Sequence, residues 1–317
     1  MASSPILVTG SHRSGTTWIG RVLAFSPNVG YVHEPFNVHD WPNWLSVRLP
    51  NVFTYICDEN SHLYEHSVGD ALRFRYPIQN IASAQNLQHG ADMVAQYQRS
   101  LWYRLRQKRP LVKDPIAIMS AEWIARRFDV QAVVMIRHPA AFASSIKRLG
   151  WGFDFRNWRD QPLLLRDLIG AYEEPIREFA ERPHDIIDQA ILMWNVIHHV
   201  IEGYRKGHPE WIFLRHEDVC EEPLKRFGDL YERLDLTWDR VVEEAIVRHS
   251  TDETKKEVPT FLPTTVIRDS RAARWTWTRR LTQEERDRVR EGTAEVAQSF
   301  YGDEDWVPPQ AVRLPSL

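Results

Sequence analysis

The hydrophobic positions of this chain form short unbroken runs, separated by longer stretches where apolar residues recur every three or four places. Pro5-Ile6-Leu7-Val8-Thr9 is the first run, closed by Gly10. A run of that length ended by a turn residue predicts a strand buried on both faces. The pattern returns at 29–32, 111–113, 132–136 and 211–215. Between these segments the spacing is helical. In the clearest case Ile187, Ile191, Trp194, Ile197 and Ile201 share one face of a helix predicted over 184–206. Residues 102–109 read as a basic helix end, and Asp218-x-x-Glu221 as a helix start. Thr282-x-x-Glu285 reads as a capping box opening a helix to about Phe300. Strands alternating with helices predict an α/β, three-layer fold with a mostly parallel central sheet covered on both faces.

No repeat, low-complexity tract or linker divides residues 1–317, which read as a single domain. Residues 37–110 break the alternation with Pro, Asn and His. They read as an insertion on the loop side of the sheet, where substrate specificity is built. The aromatic segment 151–155 is expected to join them around an acceptor pocket.

Two segments carry candidate chemistry. Gly10-Ser11-His12-Arg13-Ser14-Gly15-Thr16-Thr17 has the G-x-x-x-x-G spacing and closing hydroxyl of a phosphate-binding loop. It lies between the first strand and a helix that starts near Thr17, so backbone N–H groups at a helix N-terminus face the anion. Thr16 stands where nucleotide loops place Lys, and the cation sits earlier, at Arg13. Further on, Val133-Val134-Met135-Ile136 runs into Arg137-His138-Pro139, and Ser145 follows eight residues after Arg137 on the next helix. A strand-end Arg can grip a phosphate with two parallel N–H bonds.

His12-Arg13-Ser14-Gly15-Thr16-Thr17-Trp18 resembles the 5′-phosphosulfate loop of sulfotransferases that use 3′-phosphoadenosine 5′-phosphosulfate (PAPS). Arg137 with Ser145 resembles the 3′-phosphate site of the same family. Leu111-Val112-Lys113-Asp114-Pro115 resembles its short strand carrying a Lys to the sulfonate. Phe213-Leu214-Arg215-His216-Glu217-Asp218 resembles its Tyr-Glu-Asp turn, with His216 in place of Tyr. Arg268-Asp269-Ser270-Arg271 resembles the late basic loop over the 3′-phosphate, with Ser270 where many relatives have Gly. The resemblance implies a P-loop sulfotransferase that moves a sulfonate from PAPS to an acceptor hydroxyl, releases PAP and needs no metal. It implies that Arg13, Ser14, Gly15, Thr16, Thr17, Trp18, Arg137, Ser145, Arg268, Ser270 and Arg271 bind the nucleotide, Trp18 by stacking on adenine. Glu34 in His33-Glu34-Pro35-Phe36 matches the carboxylate base of several bacterial relatives; His33 and Asp114 are the other candidates. Burial by Phe36 and Trp41 is expected to raise the Glu34 pKa. Arg13 and Lys113 would stabilise the developing charge. The acceptor, a carbohydrate, lipid-linked sugar or small molecule, is open.

Composition adds limits. A net charge of −3 makes no case for a nucleic-acid partner. Two cysteines, Cys57 and Cys220, imply no disulfide framework. With no signal peptide or apolar span at 1–4 or elsewhere, a cytoplasmic enzyme is expected. Three rivals remain. A nucleotide kinase needs ATP, Mg²⁺ and a loop Lys, and a silent nucleotide-binding module needs no base. His62-Leu63-Tyr64-Glu65-His66 fits the H-x-x-E-H spacing of a zinc site.

Overall fold

The computed structural model describes residues 4–251 and 274–308. The chain runs β1 (Ile6–Gly10), α1 (Thr16–Leu23), β2 (Val29–His33), α2 (Glu65–Ala71), α3 (Leu87–Leu105), β3 (Arg109–Lys113), α4 (Ala121–Phe128), β4 (Gln131–Ile136), α5 (Pro139–Leu149), α6 (Ile186–Gly207), β5 (Ile212–Arg215), α7 (His216–Glu221), α8 (Pro223–Arg233), α9 (Arg240–Thr251) and α10 (Gln283–Ala297), with further helical segments between, among them the nine-residue helix Glu173–Glu181 before α6. All five predicted strands are present. They form one sheet in the order β2-β3-β1-β4-β5 with every pair parallel.

Alternation within the strands sorts the core into two layers. Ile6, Val8, Val133 and Met135 pack with Ile19 and Val22 of α1 and Phe227 and Leu230 of α8. Leu7, Ala132, Val134 and Ile136 face the opposite layer, with Ile124 of α4, Phe142 of α5 and Trp194 and Ile197 of α6. Burying both faces is what lets the strands be apolar throughout.

Two boundaries differ from expectation. The basic stretch 102–109 is a helix end only in its first half: α3 closes at Leu105 with Arg104 in its last turn, and Arg109 opens the strand. The Arg109 guanidinium is buried because three acceptors meet it, the Ser4 carbonyl at 2.6 Å, the Leu234 carbonyl and the Gln131 side chain. Asp218 does not begin a helix either. α7 starts two residues earlier, and the Asp218 carboxylate faces Arg215 Nε at 3.5 Å. The capping box at Thr282 and Glu285 forms as expected and opens α10. Among the described residues no helix is long and apolar enough to cross a membrane.

His138, at the turn from β4 into α5, shows how firmly this layer is closed. Its ring is buried, stacks on Trp277 at 5.2 Å and meets Trp306 at 4.4 Å. Burial, then the charges of Arg215, Arg274 and Arg137, lower its pKa to about 3. In the unfolded chain a His takes its proton near pH ~6.5. Between those values the unfolded state binds more protons, so stability falls as pH drops through that window. Replacing His138 by Phe keeps the aromatic stack and removes the titration. Urea unfolding at pH 7 and pH 5 is expected to show a smaller stability difference for His138→Phe than for the parent chain.

Candidate active site

In the parallel sheet the chain crosses from β1 to β2 on one side and later from β3 to β4 on the other. The crevice above β1 is therefore the topological switch point, where α/β proteins bind ligands at the carboxyl ends of their strands. Register places the expected site residues there. Val8 pairs with Lys113, His33 pairs with Lys113, and Gly10 pairs with Met135 just before Arg137.

The phosphate-type loop joins β1 to α1 through conformations that glycine alone takes without strain. Gly10 has φ 134°, and a Cβ there would lie 2.2 Å from the Met135 carbonyl oxygen. Gly15 has φ 90°, and a Cβ there would lie 2.5 Å from His216 Nδ1. Arg13, with φ 64°, takes the left-handed conformation without being glycine, which costs energy and marks a held geometry. The loop turns Ser11, Ser14 and Thr16 inward, all buried. Among the described residues the Oγ atoms of Ser11 and Ser14 and Nδ1 of His12 are buried without a hydrogen-bond partner. Gly15, Thr16 and Thr17 bring first-turn N–H groups, which have no carbonyl partner inside the helix. Trp18 is half-buried and meets Phe227 edge-on at 5.3 Å and His216 at 6.0 Å.

Arg13, Arg137 and Ser145, far apart in sequence, come together. Arg13 Nε donates to Ser145 Oγ at 3.0 Å, and Arg137 Nη1 donates to the Arg13 carbonyl. Nε of Arg137 is buried without a partner among the described residues. Trp194 Nε1 donates to the Arg137 carbonyl at 2.8 Å and fixes the strand end. Behind Arg137 lies Glu217, buried, accepting from the His138 N–H at 3.1 Å and from the Tyr301 hydroxyl at 2.9 Å. Burial raises the Glu217 pKa against the pull of Arg137. Trp151 covers Arg13, with the guanidinium 5.5 Å from the ring centre.

The second cluster lies over β2 and β3. Lys113 is fully buried and its Nζ donates to Glu34 Oε1; Asn37 Nδ2 donates to Glu34 Oε2 at 3.2 Å. Glu34 has φ 40°, a second non-glycine residue in the left-handed region. The expected rise in its pKa does not occur. Burial does push it up, but the Lys113 charge, His33 and the two side-chain hydrogen bonds outweigh burial and hold it below the usual value. A neighbouring carboxyl that does rise is Asp114, pushed to about 7 by complete burial and the nearby Glu34 charge. Asp114 accepts from the N–H groups of Phe36 at 2.6 Å and Ile116 at 2.9 Å, so it ties the turn that carries Glu34 to the end of β3. His33 is exposed, its Nδ1 3.1 Å from the Tyr31 hydroxyl.

Glu34 opens onto a cleft of about 780 Å³ between α1, β2, the 39–44 segment and α3. Tyr31 and Trp41 give it aromatic surface, and Asp40, Asp92, Gln96 and Arg99 give it polar groups. Arg21 of α1, which no sequence pattern marked, also lines it. The 151–155 segment does not. Trp151 covers Arg13 instead, and Phe155 is buried against Phe153 and Trp158. Residues 268–271 lie outside the described residues. The H-x-x-E-H spacing does not bring its histidines together on one helix: His62 belongs to the turn before α2, which starts at Glu65. Glu65 pairs with Arg127 and His66 with Asp70 at 3.3 Å. Among the described residues no group of three or more His, Cys, Asp or Glu is placed to hold a metal ion.

Comparison with known proteins agrees with this architecture. The sulfotransferase domain from the curacin biosynthetic pathway superposes with a TM-score of 0.52 at 14% identity, covering 94% of this chain and 97% of that one. That likeness is one of fold. The sulfotransferase domain of the Synechococcus PCC 7002 olefin synthase gives 0.48 at 18% identity, covering 95% and 96%. Sulfotransferase STF1 of Mycobacterium tuberculosis H37Rv gives 0.43 at 17%, covering 93% and 77%. No curated protein matches the chain. The model of the "Sulfotransferase family" matches residues 5–240, a span that holds all five strands, the loop, Glu34, Lys113, Arg137 and Ser145. On that match the chain belongs to the sulfotransferase family.

Proposed function

We propose that this sulfotransferase takes its sulfonate from PAPS and delivers it to a hydroxyl of an acceptor held in the cleft beside Glu34. The observation that carries the reading is the meeting of Arg13, Arg137 and Ser145 over a loop in which Ser11 Oγ, His12 Nδ1 and Ser14 Oγ lack partners among the described residues. Buried polar atoms without partners are costly unless a ligand completes them. A nucleotide with two separate anionic ends fits that arrangement. The N–H groups of Gly15, Thr16 and Thr17 and the Ser14 hydroxyl would hold the 5′ end, and Arg137 and Ser145 the 3′-phosphate. The resemblance adds Arg268, Ser270 and Arg271 to the 3′ end and gives adenine the Trp18 platform.

PAPS, when bound, supplies an activated sulfonate and leaves as PAP. The protein's own share is positioning and charge, as in other in-line group transfers. Glu34 accepts the proton of the acceptor hydroxyl as its oxygen attacks. Arg13 and Lys113 place positive charge where negative charge builds, in a site partly closed to water. Asp114 positions Glu34 through the Phe36 N–H without touching the acceptor. The mixed aromatic, carboxylate and amide walls of the cleft suit an acceptor with several hydroxyls, such as a sugar. Cys57 and Cys220 form no disulfide, which fits a reducing compartment, and we assign the enzyme to the cytoplasm.

Transfer of labelled sulfonate from PAPS to a panel of sugars, phenols and aliphatic alcohols tests the reading. Label on at least one hydroxyl is expected, and no transfer to any class together with no PAPS binding would sink it. The same assay checks Lys113. Its charge keeps Glu34 ionised at low pH, so the acid limb of kcat/KM should lie below the ordinary carboxylate range. In Lys113→Met burial is opposed only by His33 and the Asn37 hydrogen bond, and the limb is expected to move to higher pH, alongside a fall in kcat. An unmoved limb would show that Lys113 does not set the state of the base.

A further inference from the structure

The turn that follows α10 lies far along the chain from β4, yet it reaches the anion subsite at the end of that strand. Tyr301 is buried there. Its hydroxyl donates to Glu217 Oε2 at 2.9 Å, and its ring meets the His138 ring edge-on at 5.0 Å. The Arg215 guanidinium lies 4.5 Å from the Tyr301 ring centre. Arg215 is fixed in turn by the Phe300 carbonyl at 3.2 Å and by the buried Asp305 carboxylate. Asp305 also accepts from the Gly302 N–H at 3.1 Å, which closes the turn. The phenol is thus locked on Glu217.

Glu217 has two possible partners. Its Oε1 accepts from the N–H of His138, the residue next to Arg137. A buried carboxylate so near a guanidinium ordinarily pairs with it, because opposite charges attract strongly away from water. Among the described residues no ion pair joins the two. Arg137 Nη1 donates to the Arg13 carbonyl, and the Glu217 oxygens accept from neutral donors, the His138 N–H and the Tyr301 hydroxyl. The charges still act on each other: burial raises the Glu217 pKa, and Arg137 is the largest pull downward.

We propose that Tyr301 is a positioning residue of the nucleotide site, holding the Glu217 carboxylate off Arg137 so that the guanidinium stays open to the 3′-phosphate. This rests on the reading of Arg137 and Ser145 as the 3′-phosphate subsite. Glu217 and the phosphate are rival anions for one cation, and a single hydroxyl decides between them. With the hydroxyl in place both carboxylate oxygens are satisfied, and turning to Arg137 would cost a hydrogen bond. Without it Oε2 is a buried acceptor with no donor, and pairing with Arg137 is the move that satisfies it.

Calorimetric affinities of the full chain for PAP and 5′-AMP test the proposal. Tyr301→Phe keeps the ring and removes only the hydroxyl. It is expected to lower the preference for PAP by about tenfold, the weight of one hydrogen bond to a charged group, with 5′-AMP binding nearly as in the parent. Adding Glu217→Gln removes the rival anion, so the double variant should regain most of the lost preference. Equal weakening of both nucleotides, or a loss that Glu217→Gln does not restore, would make Tyr301 merely structural and overturn the proposal. Glu217→Gln alone leaves Tyr301 intact and should hold the preference at or above that of the parent; a collapse there would overturn it too. A parent chain that prefers PAP, with the preference unchanged in Tyr301→Phe, would sink this inference and leave the PAPS reading standing. A parent chain with no preference for PAP would sink both.

Discussion

Glu34→Gln is expected to lower kcat by about 10²–10⁴-fold, the range contributed by a positioned general base, while leaving nucleotide affinity nearly unchanged. The amide keeps the size of the carboxylate and retains one oxygen, which can accept from Lys113 Nζ or from Asn37 Nδ2 but cannot replace both carboxylate oxygens. It loses the ability to take a proton from the acceptor. The substitution also leaves the buried Lys113 ammonium facing a neutral group, and half of a buried pair left alone is destabilising. A melting curve must accompany the kinetics, and retained PAP binding separates lost chemistry from lost fold. Turnover equal to that of the parent would remove Glu34 from the mechanism. His33, exposed at the rim of the cleft, would then be the next residue to replace, since Asp114 is committed to the Phe36 and Ile116 N–H groups.

Arg137→Ala is expected to weaken PAP binding by about 10²–10³-fold, as removal of one partner from a buried charged hydrogen-bond pair costs roughly 2–5 kcal/mol. The side chain also supports the loop, because Arg137 Nη1 holds the Arg13 carbonyl. A merely structural role would weaken all nucleotides alike. The distinguishing readout is the ratio of affinities for PAP and for 5′-AMP, which lacks the 3′-phosphate. In the parent chain PAP should be strongly preferred, and in Arg137→Ala the preference should collapse. An unchanged ratio would take Arg137 out of the 3′-phosphate site. Glu217 gives a secondary signature. Without the guanidinium it is a buried carboxylate with only neutral donors, so its pKa, already raised, should rise further.

The parallel sheet was legible because each strand is a closed apolar run, and burial on both faces needs no partner information to be read. The loop was legible for a similar reason: Gly10 and Gly15 stand where a side chain would strike Met135 or His216. What could not be read depends on contacts between distant segments. Phe36 and Trp41 are visible beside Glu34 in the sequence and argue for a raised pKa. The cation that reverses the shift lies 79 residues away, brought in by β2–β3 register. The N–H groups that Asp114 accepts from cannot be seen until the turn at 34–36 folds onto the end of β3. Residues 39–44 form cleft wall from irregular backbone, which has no periodicity to detect. Trp151 is expected from the sequence beside an acceptor, and only the fold shows that it covers Arg13.

The central claim is that two anion subsites, one at the loop and one at Arg137, together hold a nucleotide with a 3′-phosphate. Calorimetric titration with PAP in the absence of metal, followed by ADP with Mg²⁺, tests it most directly. PAP binding without metal, much tighter than that of ADP with Mg²⁺, is the predicted result. Preference for ADP with Mg²⁺, or binding of neither, would contradict the account.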